Sequence, residues 1–247
     1  MADRAAIVTG ASSGIGLAVT RMLAESGHAV TMAARRPEKL EAAYEQLCGE
    51  GHEVQRVAAN VGDEADIARV VAAHRGAYGR LDVLMNNAGV GIGAPIGELS
   101  TKRMDIQLAT NLRAIPLFYR EALPLLAAAG AEHRNALVVN TASIAGKQGE
   151  AWLSIYSATK FGVVGFTQSM NRELGVLGIK STALCPAFVD TPMTDFVKGQ
   201  MAPEAMIQTS DIVAAVRMLL VLTPGCVIPE IVFQLPGDGQ LDAAPAT

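Results

Sequence analysis

Thr9-Gly10-Ala11-Ser12-Ser13-Gly14-Ile15-Gly16 stands between a short apolar run, Ala5-Ala6-Ile7-Val8-Thr9, and a helical stretch from Ile15 to Ser26. The run reads as a strand, so the three glycines fall in the turn that joins strand to helix. Glycine permits a tight turn and lets a phosphate approach the backbone closely. The first N–H groups of a helix lack partners within it and carry the positive end of its dipole, so a pyrophosphate sits well there. The turn therefore points to dinucleotide binding by Gly10, Ser12, Ser13, Gly14, Ile15 and Gly16. Its spacing is Gly-x3-Gly-x-Gly rather than GxGxxG.

The same residues also fit GxSxG, the strand-turn-helix elbow that exposes a serine nucleophile in hydrolases. That reading would make Ser12 reactive. It needs earlier strands to build an oxyanion hole, then an acid and a histidine later in the chain. Only one strand precedes Ser12, and the last histidine, His133, comes long before the chain ends. The hydrolase reading is set aside.

Outward from the turn, short β-branched runs alternate with longer Ala/Leu/Glu segments. Ala29–Ala33, Glu53–Ala58, Leu81–Met85, Leu137–Asn140, Ser181–Leu184 and Ile228–Leu235 read as further strands. Pro37 suits the first position of the second helix, and Asp63-Glu64 opens the third with acidic residues in its first turn. Strands alternating with helices imply βαβ units: an α/β, doubly wound parallel sheet with helices on both faces. Near-continuous apolar strands such as Leu137-Val138-Val139 fit a sheet covered on both sides. No linker or repeat divides the chain, so residues 1–247 are expected to form one domain, with 236–247 as a frayed tail.

Composition narrows the function. The chain has 247 residues, 50% of them hydrophobic, and 24 acidic against 20 basic side chains give a net charge of -4. Without a basic tract, and with 4% aromatics, the chain is not expected to bind nucleic acid. Cys48, Cys185 and Cys226 are odd in number and far apart, as in a reducing compartment. The histidines lack metal-ligand spacing, and no metal is expected. No signal peptide or membrane span is recognisable, and the cytoplasm is the expected location.

The end of the second strand bears on which dinucleotide binds. An acidic residue there would meet the ribose 2′-hydroxyl of NAD. Here it reads Ala33-Ala34-Arg35-Arg36. Guanidinium groups suit a 2′-phosphate, so NADP(H) is favoured at Arg35 and Arg36, with NAD(H) as the alternative.

Tyr156-Ser157-Ala158-Thr159-Lys160 sets a phenol and an ammonium one helical turn apart on one face. A free tyrosine titrates near pH 10, and a neighbouring ammonium favours the phenolate and lowers that value. Ser143, thirteen residues earlier, closes the Leu137–Ala142 strand, where an open parallel sheet binds ligands. Its hydroxyl could hold a substrate carbonyl beside Tyr156.

Taken together these motifs resemble the short-chain dehydrogenase/reductase family, in its single-domain, Rossmann-like branch. Thr9–Gly16 is similar to its TGxxxGxG turn, and Asn86-Asn87-Ala88-Gly89 to its NNAG element beside the adenine ribose. Asn111, Ser143, Tyr156 and Lys160 match its catalytic tetrad in order and spacing. Pro186 to Thr191 resembles its PGxxxT segment, in which Val189 and Thr191 would meet the nicotinamide carboxamide. The resemblance implies hydride transfer between nicotinamide and a carbonyl or secondary alcohol, with Tyr156 as general acid/base. Lys160 would lower the Tyr156 pKa and bind the nicotinamide ribose. Ser143 would orient the carbonyl, and Asn111 would hold a water.

Asn60, beside Val61, stands where the family usually has an aspartate that meets the adenine; asparagine is expected to keep an acceptor there. Ala187 replaces the usual glycine, and the last strand lacks a familiar glycine pair. The segments implied to face substrate, Gly91–Gly97, Ile144–Leu153 and Met193–Ile207, carry Ile92, Ile96, Trp152, Met193 and Phe196 and suggest an apolar small molecule. A 3-oxoacyl carrier-protein substrate is a further alternative within the family. A homodimer or homotetramer is expected, paired through helices at about Thr101–Ala128 and Ser154–Leu177. A nucleotide-sensing protein without catalysis is the alternative of a different class; it would not need Tyr156 and Lys160.

Overall fold

The computed structural model of the chain describes residues 3–237. Seven strands form one sheet: β1 (Arg4–Thr9), β2 (His28–Ala34), β3 (Val54–Ala58), β4 (Val83–Asn86), β5 (Ala136–Thr141), β6 (Ile179–Pro186) and β7 (Glu230–Phe233). Their order is β3-β2-β1-β4-β5-β6-β7, and every neighbouring pair is parallel. Every strand expected from the sequence is present, with ends shifted by a few residues. The expected tail falls mainly on residues 238–247, outside those described.

Alternation within β1 explains the layering. Ile7 faces a core shared with α3 (Glu64–Tyr78), α5 (Ala114–His133) and α6 (Ser154–Leu174). Ala6 and Val8 face a second core with α1 (Gly14–Glu25), α2 (Pro37–Gly49) and α7 (Thr209–Val221). Because successive side chains of a strand point to opposite faces, a strand covered on both sides must be apolar throughout. Helix starts follow local chemistry. Pro37 occupies the first turn of α2, and the Asp63 carboxylate accepts from the N–H groups of Ala65 and Asp66 at the start of α3.

One expected helix is divided. Thr101–Gln107 (α4) runs into a turn of π-helix, Leu108–Arg113, before α5 begins. The extra residue of such a turn depends on tertiary contacts, which the sequence pattern does not display.

The N-terminal edge of the sheet is closed by charge. Asp82 is 2% exposed; its carboxylate accepts from the Ala5 N–H at 2.8 Å, from two Arg80 nitrogens at 2.8 Å, and lies 2.9 Å from His133 Nε2. Its pKa is held below the usual carboxylate range by these partners, against the opposing effect of burial.

His74 is fully buried on α3, with Nδ1 2.7 Å from the Thr31 hydroxyl and Nε2 2.8 Å from the Arg80 carbonyl. A carbonyl only accepts, so Nε2 carries the proton and Nδ1 accepts from Thr31. Burial pushes the His74 pKa down to about 4. The unfolded chain then binds this proton more readily, so stability is full above about pH 6.5 and falls as pH drops toward 4. Between pH 7 and pH 5 the loss should be about 2 kcal/mol, measured by urea unfolding. In His74→Gln that pH dependence should shrink by the same amount.

Candidate active site

Strand order reverses direction between β1 and β4: the chain leaves β1 toward β2 on one side and leaves β4 toward β5 on the other. A crevice opens at the C-terminal ends of the strands where the connections diverge. The turn Gly10–Ser13, the segment Asn87–Ala94, Ser143 and the stretch Ala187–Thr191 all follow strands at this edge.

The glycines are demanded by contact. Gly10 has φ +67°, and a Cβ there would lie 2.9 Å from Asn87 Nδ2. At Gly16 a Cβ would come within 2.2 Å of the Gly10 carbonyl oxygen. Ser13 precedes the first turn of α1, and its side chain forms no cap, so the leading N–H groups face the crevice without a side-chain acceptor. Thr191 packs against this turn, with Cγ2 3.0 Å from the position of a Gly14 Cβ. Its N–H donates to Thr194 Oγ1 at 3.3 Å, and that hydroxyl donates to the Val189 carbonyl at 2.5 Å. Such a cradle of small residues at a helix N-terminus fits a dinucleotide pyrophosphate.

Arg35 and Arg36 follow β2 on the surface; neither forms an ion pair or side-chain hydrogen bond among the described residues. Asn60 and Val61 follow the neighbouring β3, where the Ala59 N–H donates to the Ala34 carbonyl at 2.9 Å. Asn60 Oδ1 accepts from the Gly62 N–H at 3.2 Å, because this short side chain folds back onto its own turn.

At the other end of the crevice, Lys160 and Asn111 are buried and Tyr156 and Ser143 partly so. Lys160 Nζ donates to the Thr141 carbonyl at 2.7 Å, lies 5.5 Å from the centre of the Tyr156 ring, and is 3.7 Å from where a Gly89 Cβ would stand. Ser143 lies just beyond β5 and accepts from the Ala145 N–H at 3.2 Å. Pro186 ends β6, and its carbonyl accepts from the Ser143 hydroxyl at 3.4 Å.

Burial pushes the Tyr156 phenol up, with the Ser143 hydroxyl pulling the other way, while burial brings the Lys160 ammonium down to about 8. Among the described residues Lys160 Nζ donates to the Thr141 carbonyl and makes no hydrogen bond to the phenol oxygen. The Asn111 side-chain amide holds the backbone of Val90. Oδ1 accepts from the Val90 N–H and Nδ2 donates to the Val90 carbonyl, both at 2.8 Å, with Thr159 Oγ1 at 3.3 Å.

Three residues of the site carry structural weight that the sequence did not single out. Thr141 and Thr159 engage Lys160 and Asn111 through a carbonyl and a hydroxyl, and Gln107 reaches the Val90–Ala94 segment from α4. Among the described residues no cluster of three or more His, Cys, Asp or Glu could hold a metal, and no helix is long and apolar enough to cross a membrane.

Comparison with known proteins agrees with this architecture. The model of the short chain dehydrogenase family matches residues 4–202. A Streptomyces virginiae protein named for ketoacyl reduction in the monensin polyketide synthase is 40% identical over 197 residues, covering 79% of this chain and 74% of its own. The 3-oxoacyl-[acyl-carrier-protein] reductase of Staphylococcus aureus is 32% identical over 206 residues, 83% and 82% of the two chains. Among solved structures, a variant of the actinorhodin polyketide ketoreductase crystallised with NADPH superposes with a TM-score of 0.84 at 32% identity, over 94% of this chain and 97% of that one. By sequence and by fold, the chain belongs to the short-chain dehydrogenase family, oxidoreductases that interconvert carbonyls and alcohols with a nicotinamide cofactor.

Proposed function

We propose that this chain is an NADPH-dependent ketone reductase in which Tyr156 delivers the proton. The observation that carries the reading is the joining, in one crevice, of a glycine cradle for pyrophosphate to a Tyr156–Lys160 pair, the lysine buried and the phenol partly so, with Ser143 beside the phenol. The dinucleotide, when bound, supplies the hydride. Gly10, Ser12, Ser13, Gly14, Ile15 and Gly16 would hold its pyrophosphate; Asn87, Ala88 and Gly89 would line its adenosine side; Pro186, Val189 and Thr191 would line the nicotinamide end.

Ser143 orients the carbonyl oxygen toward the Tyr156 hydroxyl. As the phenol gives up its proton, negative charge grows on an oxygen largely withdrawn from water, which burial alone opposes. Lys160 offsets that charge from the floor of the site, where exclusion of water strengthens the attraction. Asn111 acts one step back, by fixing the Val90 backbone next to Gly89. Arg35 and Arg36, with guanidinium groups free of protein partners among the described residues, select the 2′-phosphate of NADPH over the hydroxyl of NADH.

A second reading within the same chemistry is reduction of a 3-oxoacyl thioester, favoured by the relatives named for ketoacyl and 3-oxoacyl substrates. A panel containing ethyl 3-oxobutanoate and the N-acetylcysteamine thioester of 3-oxobutanoate separates the two by relative kcat/KM. The exposed Leu108 and Phe161, on the π turn and on α6, suit pairing of two copies across these helices, so a dimer or tetramer is proposed. The three free cysteines accord with a cytoplasmic address.

Tyr156→Phe should leave NADPH affinity within about twofold, by nicotinamide fluorescence titration, and lower turnover at least roughly a hundredfold; retained turnover would sink the assignment. The double variant Arg35→Ala with Arg36→Ala should weaken NADPH binding by at least about tenfold and leave NADH binding nearly unchanged. A wild-type chain that prefers NADH would overturn the cofactor choice.

A further inference from the structure

The segment Val90–Ala94 crosses the mouth of the crevice with neither helix nor strand, and its backbone is gripped at alternate residues. The Val90 N–H donates to Asn111 Oδ1 at 2.8 Å, the Ile92 N–H to Gln107 Oε1 at 3.2 Å, and the Ala94 N–H to the Trp152 carbonyl at 2.8 Å. Between them, Arg103 Nη2 donates to the Gly93 carbonyl at 3.1 Å. The intervening glycines adjoin the reactive end of the site. A Cβ at Gly91 would lie 4.0 Å from Tyr156 Cε2, and one at Gly93 would lie 3.5 Å from Leu153 Cδ2.

Gln107 is the unexpected member of this set. It has no exposed surface at all, and a glutamine so buried must satisfy its amide inside the protein. Among the described residues its nitrogen reaches only the Arg103 carbonyl, one turn back in the same helix, at 3.4 Å. Its oxygen is therefore the productive end, and it holds one loop amide. Trp152 contributes from the opposite side with φ +59°, a conformation that disfavours any residue with a β-carbon, and its carbonyl holds the next gripped amide.

We propose that Gln107 is a positioning residue for substrate binding: by holding the Ile92 N–H it fixes the Gly91–Gly93 wall against Tyr156 and so sets how tightly the ketone is held. The proposal rests on the reductase reading. A loop secured by few backbone bonds moves when one is lost, and a misplaced wall weakens binding of substrate more than it alters the proton donor itself.

The test compares Gln107→Leu, which keeps the volume and removes the acceptor, with Arg103→Ala, an exposed change that cannot threaten the core. Amide hydrogen exchange over residues 88–95 should speed up about tenfold in Gln107→Leu and less in Arg103→Ala. With ethyl 3-oxobutanoate and NADPH, KM should rise about tenfold in Gln107→Leu and about threefold in Arg103→Ala, with kcat within threefold of wild type and NADPH affinity unchanged. Should Gln107→Leu not fold, Gln107→Met takes its place and Arg103→Ala gives the direction. Unchanged exchange overturns the proposal, as does faster exchange with an unchanged KM in a wild type that turns over. A wild-type chain without turnover on any ketone or thioester of the panel brings down the reductase reading and the substrate role with it; the exchange rates then report separately on the grip.

Discussion

One hydroxyl binds the two halves of the crevice. Thr9 Oγ1 donates to the Met85 carbonyl at 3.3 Å and accepts from the N–H groups of Asn87 and Ala88, both at 2.9 Å. Asn87 answers by donating its side-chain amide to the Thr9 carbonyl at 3.1 Å. That amide nitrogen is the atom a Cβ would strike at Gly10 and meet again at Gly16. The closeness of β1 and β4 at their ends thus dictates where glycine must stand, how α1 leaves the turn, and where its leading N–H groups are aimed.

The two edges of the sheet divide the work. At the N-terminal edge, Asp82 gathers Ala5, Arg80 and His133 and joins β1 to β4 through charge-assisted hydrogen bonds. At the C-terminal edge the same two strands separate into loops that leave polar groups for a ligand. The opposed placement lets the tightly satisfied edge supply rigidity while the open edge keeps unsatisfied donors. Lys160 shows what a dry place does to a base: burial lets it lose its proton more readily than a surface lysine, and negative charge growing nearby would strengthen its hold on that proton.

Much of this was legible in the order of residues. The strands announce themselves as apolar runs because both sheet faces are covered, and Gly10 to Gly16 mark a turn whose crowding only glycine survives. Tyr156 and Lys160 lie one turn apart on α6 as their spacing requires. What stayed hidden was partnership. Spacing says that Lys160 lies near Tyr156 but not that Nζ is directed to the Thr141 carbonyl. An asparagine at 111 gives no sign that both ends of its amide hold the Val90 backbone. Asn60 likewise folds onto its own turn. Gln107 sits in a helix whose residues give no sign that one face must hold a loop.

The π turn at Leu108–Arg113 bears on that face through helical phase. In an α-helix, four residues overshoot a full turn by about 40°, so side chains at successive four-residue steps spiral away from one another. A turn closed by i→i+5 bonds winds less per residue and takes the overshoot back. Arg103 and Gln107 precede the wide turn and Asn111 lies within it, yet all three address one stretch of five residues. Winding that turn as ordinary α-helix, with no residue removed, would leave the sheet as it is and turn Arg103 and Gln107 away from the loop relative to α5. The register of the helix thereby stores the shape of the pocket.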